Sequence, residues 1–255
     1  MPPSARARRD AIVALASTAG LASVEELSKR FGVTASTIRR DLATLESQRK
    51  LTRTFGGVMA LATHPEASLR QRLGERFEQK RAIGRWAAGQ VTIGQSILLD
   101  NGSTVAAMAH ALPVAGPLSV ATTSIGVITE LAEHEDLELL SLGGRYRPLS
   151  QGFVGPLAEA ALEHLTFDAA FLGADAVSPA DGICEADLGQ IRLKELMARR
   201  AEAVYVLADS GKLERHSFHA WTRLGVPWTL VTDAGAEPSV VQQFRDNGIG
   251  VQVVP

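Results

Sequence analysis

Five short stretches combine glycine, hydroxyls and charge in the manner of anion-binding loops. The richest is Asp100-Asn-Gly-Ser-Thr104, where Gly102 lets backbone amides approach an anion and Ser103 and Thr104 add hydroxyls at an expected helix start. The others are Thr122-Thr123-Ser124, Gly143-Gly144-Arg145, Asp175, and Asp209-Ser-Gly-Lys212. Each alone is better read as turn or cap chemistry. A sixth constellation differs: Thr34, Ser36, Thr37, Arg39 and Arg40 crowd small hydroxyls and guanidinium groups into seven residues. Hydroxyls take phosphates and arginine grips the N7 and O6 of guanine, which is chemistry for double-stranded DNA.

The elements that position the first five alternate in type. Short apolar runs at 96–99, 118–121, 138–142, 169–172, 203–208, 229–231 and 251–254 predict strands, with helices expected at 104–111, 125–133, 155–164, 187–201 and 238–247. Strand-helix alternation implies an α/β domain with a mostly parallel sheet covered on both faces. Ligands of such sheets bind beyond the carboxyl ends of the strands, and all five stretches lie just after a strand. Five on one edge favour a phosphorylated, hydroxyl-rich molecule. No Gly-x-Gly-x-x-Gly follows the first strand, so a dinucleotide is disfavoured, and scattered histidines suggest no metal. No cofactor is expected.

The sixth constellation sits in a helical segment of another kind. Ile12, Leu15, Ala16 and Ala19 recur at helical spacing, so the basic, apolar start reads as a first helix and not as a signal peptide. Ser23 with Glu26 forms a capping-box pattern ahead of Val24, Leu27 and Phe31. Thr34 caps a third helix whose apolar side is Ile38, Leu42 and Leu45, leaving Ser36, Thr37, Arg39 and Arg40 outward. Residues 51–59 read as two short strands around Gly56-Gly57, a wing carrying Arg53.

Charge divides the chain in the same place. Residues 1–60 hold ten Lys/Arg against five Asp/Glu, whereas the remaining 195 hold 16 against 23. A basic head on an acidic body suits a polyanion-binding module joined to something else. The head is expected over 1–60, a linker over 61–74 around Pro65, and the α/β body over 75–255, with a helix from 75 to about 90 burying Phe77, Ile83, Trp86 and Ala87. A single cysteine, Cys184, precludes an intrachain disulfide and fits a cytoplasmic protein. No apolar run is long enough to span a membrane.

The stretch Leu27-Ser-Lys-Arg-Phe-Gly-Val-Thr-Ala-Ser-Thr-Ile-Arg-Arg-Asp-Leu42, followed by Leu45-Glu46 and the glycine pair, resembles the DeoR family of bacterial sugar-metabolism regulators. Two positions depart from its pattern, Lys50 in place of glycine and Phe55 in place of histidine. The body resembles the family's sensor domain through Lys80 and Ile83, Asp100-x-Gly-Ser-Thr104, Thr122-x-Ser124, Gly143-Gly144, Gly152-x-x-Gly155, Phe171-Leu-Gly173, Gly182, Lys194 and Asp209-x-x-Lys212. The resemblance implies a winged helix-turn-helix ahead of a Rossmann-like α/β sensor. It further implies a transcriptional repressor, a sugar phosphate or related metabolite as effector, Gly152 and Lys194 among its ligands, and a homo-oligomer, dimer or tetramer.

The body also looks distantly like ribose 5-phosphate isomerase, and an isomerase-like enzyme with a DNA-binding head is the rival reading. That enzyme carries Asp-Gly-Ala-Asp-Glu at its acid/base centre, where this chain has Leu172-Gly-Ala-Asp175-Ala176. Shuttling protons along a sugar needs groups that give and take them, and leucine does neither. A binding site without catalysis is therefore expected.

Overall fold

The computed structural model describes residues 4–19, 24–47, 51–54, 57–60, 66–112, 116–213 and 218–255. They fall into two compact units, Met1–Pro65 and Glu66–Pro255.

In the first unit, α1 (Ala5–Ala19), α2 (Val24–Phe31) and α3 (Ala35–Ser47) precede the two-stranded β1 (Leu51–Thr54) and β2 (Gly57–Ala60). Helical spacing brings Ile12, Leu27, Ile38, Leu42 and Leu45 into one core, rimmed by Val24, Phe31 and Val33. The turn between α2 and α3 needs left-handed backbone at Gly32, φ 61°, where a side chain would be strained. Thr34 caps α3 as its residue type predicts, accepting from the Thr37 amide at 3.3 Å. The other expected cap, Ser23, lies outside the described residues. β1 and β2 pair antiparallel from Leu51 opposite Ala60 to Thr54 opposite Gly57, which makes the wing.

The second unit opens with α4 (Leu69–Gly74) and α5 (Phe77–Ala88), then runs β3 (Ser96–Leu99), α6 (Ser103–Ala111), β4 (Leu118–Thr122), α7 (Ile125–Leu131) and β5 (Leu137–Ser141). A hairpin follows, β6 (Arg145–Arg147) and β7 (Gly152–Val154), then α8 (Pro156–Leu162) and β8 (Phe167–Leu172). The chain finishes with β9 (Ala176–Ser178), β10 (Gly182–Glu185), α9 (Leu188–Arg199), β11 (Ala201–Leu207), β12 (Ala220–Thr222), β13 (Thr229–Asp233), α10 (Pro238–Asp246) and β14 (Gly250–Val254).

All seven strands expected from the apolar runs join one parallel sheet in the order β14-β13-β11-β8-β3-β4-β5. Alternation along each strand feeds two cores. Ile97 and Leu99 face Ile83, Val105, Met108 and Val127 of α5, α6 and α7. Leu98, with Ala170 and Leu172, faces Ala158, Leu193, Met197 and Phe244 of α8, α9 and α10. Gly84 lets α5 and α6 touch, because a Cβ there would lie 2.7 Å from the Ala107 carbonyl carbon.

Three expectations change. Residues 66–74 are not linker: Ser68 and Gln71 form a reciprocal capping box for α4, and Leu69 is buried. The segment was hard to read because one turn of helix shows no periodicity. Phe77 is 58% exposed, since it stands at the first turn of α5 before the apolar stripe begins. The antiparallel pairs β6–β7 and β9–β10–β12 were unforeseen, being three or four residues each.

Candidate functional site

The chain builds β3, β4 and β5 outward on one side, then returns with β8, β11, β13 and β14 on the other. Their carboxyl ends therefore part between β3 and β8, the switch point where open α/β sheets place ligands. Asp100 ends β3 and Gly173 follows β8, and the two are tied by the Gly173 amide donating to Asp100 Oδ2 at 2.9 Å.

At this point a closed cleft is lined by Arg72, Asn101, Gly102, Ser103, Thr104, Gly173, Ala174, Glu185, Lys194 and Lys212. Its floor is a buried ion cluster. Lys194, rising from α9, donates to Asp100 Oδ2 at 2.7 Å, Glu185 Oε1 at 2.5 Å and the Gly173 carbonyl at 2.7 Å. Burial alone would lower this lysine, but Asp100 and then Glu185 outweigh it and hold the ammonium charged. Glu185 shares that one cation with Asp100, and burial pushes its carboxyl up to about 8 against the pull of Lys194.

The walls are cationic. Arg72, carried by α4, pairs with Asp175 at 2.7 Å and approaches Glu66 at 3.8 Å. Glu66 also pairs with Arg147 of β6. Lys80 is buried in α5 and donates to the Arg72 carbonyl at 2.5 Å, and burial, with Lys212 beside it, depresses its ammonium to about 8. Lys212 donates to the Ala174 carbonyl at 2.5 Å, and burial lowers its pKa as well. Three cations thus meet at the cleft itself, with Lys80 behind.

Several buried polar atoms at the cleft lack a protein partner: Ser103 Oγ, Thr104 Oγ1, Arg72 Nε, Asn101 Nδ2 and Asp100 Oδ1. Leaving such groups unpaired costs roughly 1–3 kcal/mol each, so a ligand that meets them gains that back. Gly102, at φ 139°, opens α6 with its free amide end at this spot.

The structure brings together Asp100, Gly102, Ser103, Thr104, Lys194 and Lys212 of the residues singled out by sequence, with Asp175 behind Arg72. Others have structural work. Thr122 donates to the Leu99 carbonyl at 2.7 Å and accepts from the Ser124 amide at 3.0 Å, while Ser124 caps α7 through the Val127 amide at 3.3 Å. Gly143 and Gly144 take positive φ, and a Cβ on Gly144 would lie 2.8 Å from the Val154 carbonyl oxygen. Arg145 is exposed on β6. Thr123 is buried with its hydroxyl unpaired, and Gly152 lies directly under Asn101. Sequence reasoning missed Arg72, Asn101 and Glu185. Arg72 stood in an apparent linker and Glu185 in an unrecognised hairpin, and only folding brings either to β3.

Glu185 gives the site a pH signature. Between pH 4.5, its ordinary value, and about 8, the unfolded chain has released this proton while the folded chain keeps it. Folding stability should therefore fall as pH rises through that window, by at most about 1.4 kcal/mol per unit. Melting temperatures of the full chain from pH 5 to 8 should show the decline, and Glu185→Gln should flatten it. A slope unchanged in the variant would exclude Glu185 as its source.

In the first unit, Ser36, Arg39 and Arg40 of α3 are exposed together. Their neighbour Asp41 turns inward, paired with Arg8 at 2.6 Å and Arg9 at 3.8 Å, and so locks α3 to α1. The Thr34 hydroxyl is shared among the cap, Ser36 and Thr37. Arg53 falls in β1 opposite Val58.

Residues 8–64 match the family model described as a DeoR-like helix-turn-helix domain, and residues 75–234 match the DeoR C-terminal sensor domain. The HTH-type transcriptional regulator GlpR of Haloferax volcanii is 34% identical over 252 residues, 98% of each chain. The glycerol-3-phosphate regulon repressor of Escherichia coli is 27% identical over 246 residues, 96% of this chain and 98% of that one. Among solved structures, ribose 5-phosphate isomerase A of Methanocaldococcus jannaschii aligns over 55% of each chain at 21% identity and a TM-score of 0.41, too slight a likeness to build on.

Proposed function

This chain belongs to the DeoR family of transcriptional regulators, and from that premise we propose that it is a cytoplasmic repressor released from its operator by a phosphorylated polyol or sugar. One observation carries the ligand reading. Arg72, Lys194 and Lys212 converge at a switch-point cleft beside the unpaired hydroxyls of Ser103 and Thr104 and the amide end of α6. Charge, hydroxyls and helix dipole all suit a phosphate. The glycerol-3-phosphate regulon repressors of Escherichia coli and Shigella flexneri carry a phosphorylated polyol in their names, which supports the same class.

Operator DNA is read by α3, with Ser36, Thr37, Arg39 and Arg40 toward the major groove and the wing, including Arg53, toward the backbone. A homo-oligomer, dimer or tetramer, fits two such helices reading repeated half-sites. No helix among the described residues is long and apolar enough to cross a membrane. Isomerase chemistry is not favoured: Leu172 and Ala176 are buried and aliphatic, and Asp175 is held by Arg72.

The cleft closes around Arg72, which α4 brings from the segment directly after the DNA-binding unit. A phosphate that draws Arg72 away from Asp175 and Glu66 would loosen that segment, and so bias the arrangement that holds DNA. Typical coupling of about 1–3 kcal/mol changes operator affinity roughly 5- to 150-fold.

A thermal-shift screen of the full chain against phosphorylated metabolites and their unphosphorylated parents tests the reading, because a ligand of the native state raises its melting temperature. Phosphates should stabilise, parents should not, and Arg72→Ala should remove most of the shift. Equal stabilisation by unphosphorylated sugars would overturn the phosphate site.

A further inference from the structure

Beyond the cations lies a second set of buried polar groups with no charge of their own. We propose that Asn101, Gln190, Thr123 and Ser150 read the uncharged hydroxyls of the effector, and so select a monophosphorylated polyol or sugar over a bare phosphate or a ligand with a second anionic end. The proposal rests on the phosphate reading above and adds what recognises the rest of the molecule.

Four observations support it. Asn101 and Gln190 are both buried and share one hydrogen bond, Gln190 Nε2 donating to Asn101 Oδ1 at 3.3 Å. This leaves Asn101 Nδ2 as an unpaired donor and Gln190 Oε1 as an unpaired acceptor. Turning both amides over leaves the same inventory, one donor and one acceptor, on exchanged residues. Thr123 and Ser150, both without measurable exposure, add two unpaired hydroxyls.

The fold gathers these groups at one place. Gly152 packs so closely that a Cβ there would lie 2.5 Å from Asn101 Nδ2, which puts the β6–β7 hairpin against Asn101. Ser150 precedes Gly152 in that hairpin, and the Phe153 amide donates to the Thr123 carbonyl at 2.8 Å. Asn101 itself lines the cleft beside Arg72, Lys194 and Lys212. Asn101 is thus the member of the cluster at the cleft, and the other three lie behind it, joined to it through Gln190 and the β6–β7 hairpin.

Its chemistry is selective. An ionised phosphate-ester or carboxylate oxygen only accepts, and would leave the amide oxygen buried without a donor. A hydroxyl both donates and accepts, and so satisfies an amide pair and two alcohols together. Asp100 Oδ1, buried and unpaired on the residue next to Asn101, also calls for a donor and repels an anion.

The test measures dissociation constants of the full chain for inorganic phosphate, sn-glycerol 3-phosphate, ribose 5-phosphate and fructose 1,6-bisphosphate by calorimetry. Wild type should bind at least one of the two monophosphates more tightly than inorganic phosphate or the bisphosphate. Gln190→Met should narrow that preference, by about 2- to 13-fold for the hydrogen bond lost, and leave inorganic phosphate nearly unchanged, whereas Asn101→Leu, in the cleft itself, should weaken the monophosphates more than inorganic phosphate. Thr123→Val and Ser150→Ala, which barely alter volume, provide the same comparison should the amide variants fail to fold. Equal weakening of inorganic phosphate and the monophosphates would overturn the proposal, as would unchanged monophosphate binding in all four variants. A wild type that binds none of the four probes would instead fell the phosphate reading, and this one with it.

Discussion

Lys194→Met should lower the melting temperature of the sensor unit by roughly 6–20 °C, the equivalent of about 3–5 kcal/mol in a domain of this size. The lysine is the only cation within hydrogen-bonding distance of Asp100 and Glu185 among the described contacts, and all three side chains are almost wholly buried. Removing it leaves two carboxyl groups facing one another without water. Glu185, raised to about 8, already keeps its proton below that pH, so the uncompensated charge falls on Asp100, which would keep only the Gly173 amide. Combining Lys194→Met with Asp100→Asn and Glu185→Gln should restore most of the lost stability, because a neutral cluster of the same shape carries no uncompensated charge. Thermal denaturation of the single and triple variants decides the matter. A single variant that melts with wild type would mean that the cluster is hydrated and not the floor described here.

The second large effect concerns DNA. Arg40→Ala should weaken binding to an operator selected from random DNA by about 1–3 kcal/mol, roughly 5- to 150-fold, if the guanidinium reads a guanine. Arg39→Ala added to it should lower affinity further. The double variant should fold normally, since both side chains are exposed and the ion pairs of Asp41 with Arg8 and Arg9 do not involve them. Salt dependence separates the roles: loss of a phosphate contact weakens all sequences alike and flattens the slope of affinity against salt, whereas loss of a base contact relaxes specificity at one position. Retention of full operator affinity by a folded double variant would remove α3 as the reading element.

Much of this was legible in the linear chain because the signals are local. Short continuous apolar runs mark the seven strands of the main sheet and 3.6-period patterns mark the larger helices, since a residue's burial follows from its neighbours a few positions away. The same holds for Thr34 as a cap and for Ser36, Arg39 and Arg40 as the outward side of α3. Asp100-x-Gly-Ser-Thr104 was readable because a strand end, a glycine and a helix start lie within five residues.

What folding alone decided are the meetings of distant residues. Strand order places Gly173 beside Asp100, and α9 delivers Lys194 beneath both. Arg72, 103 positions from Asp175, reaches it only because α4 packs on the sensor. Thr122 and Ser124 show the converse: hydroxyls of the right type at the right strand end are used by the backbone, because their nearest unsatisfied partners are the Leu99 carbonyl and the start of α7. Local spacing of glycine, hydroxyls and charge pointed to this edge of the sheet as the place for an anion. Which atoms are left unpaired to meet a ligand depends on competition for hydrogen bonds inside the fold, and that is settled only in three dimensions.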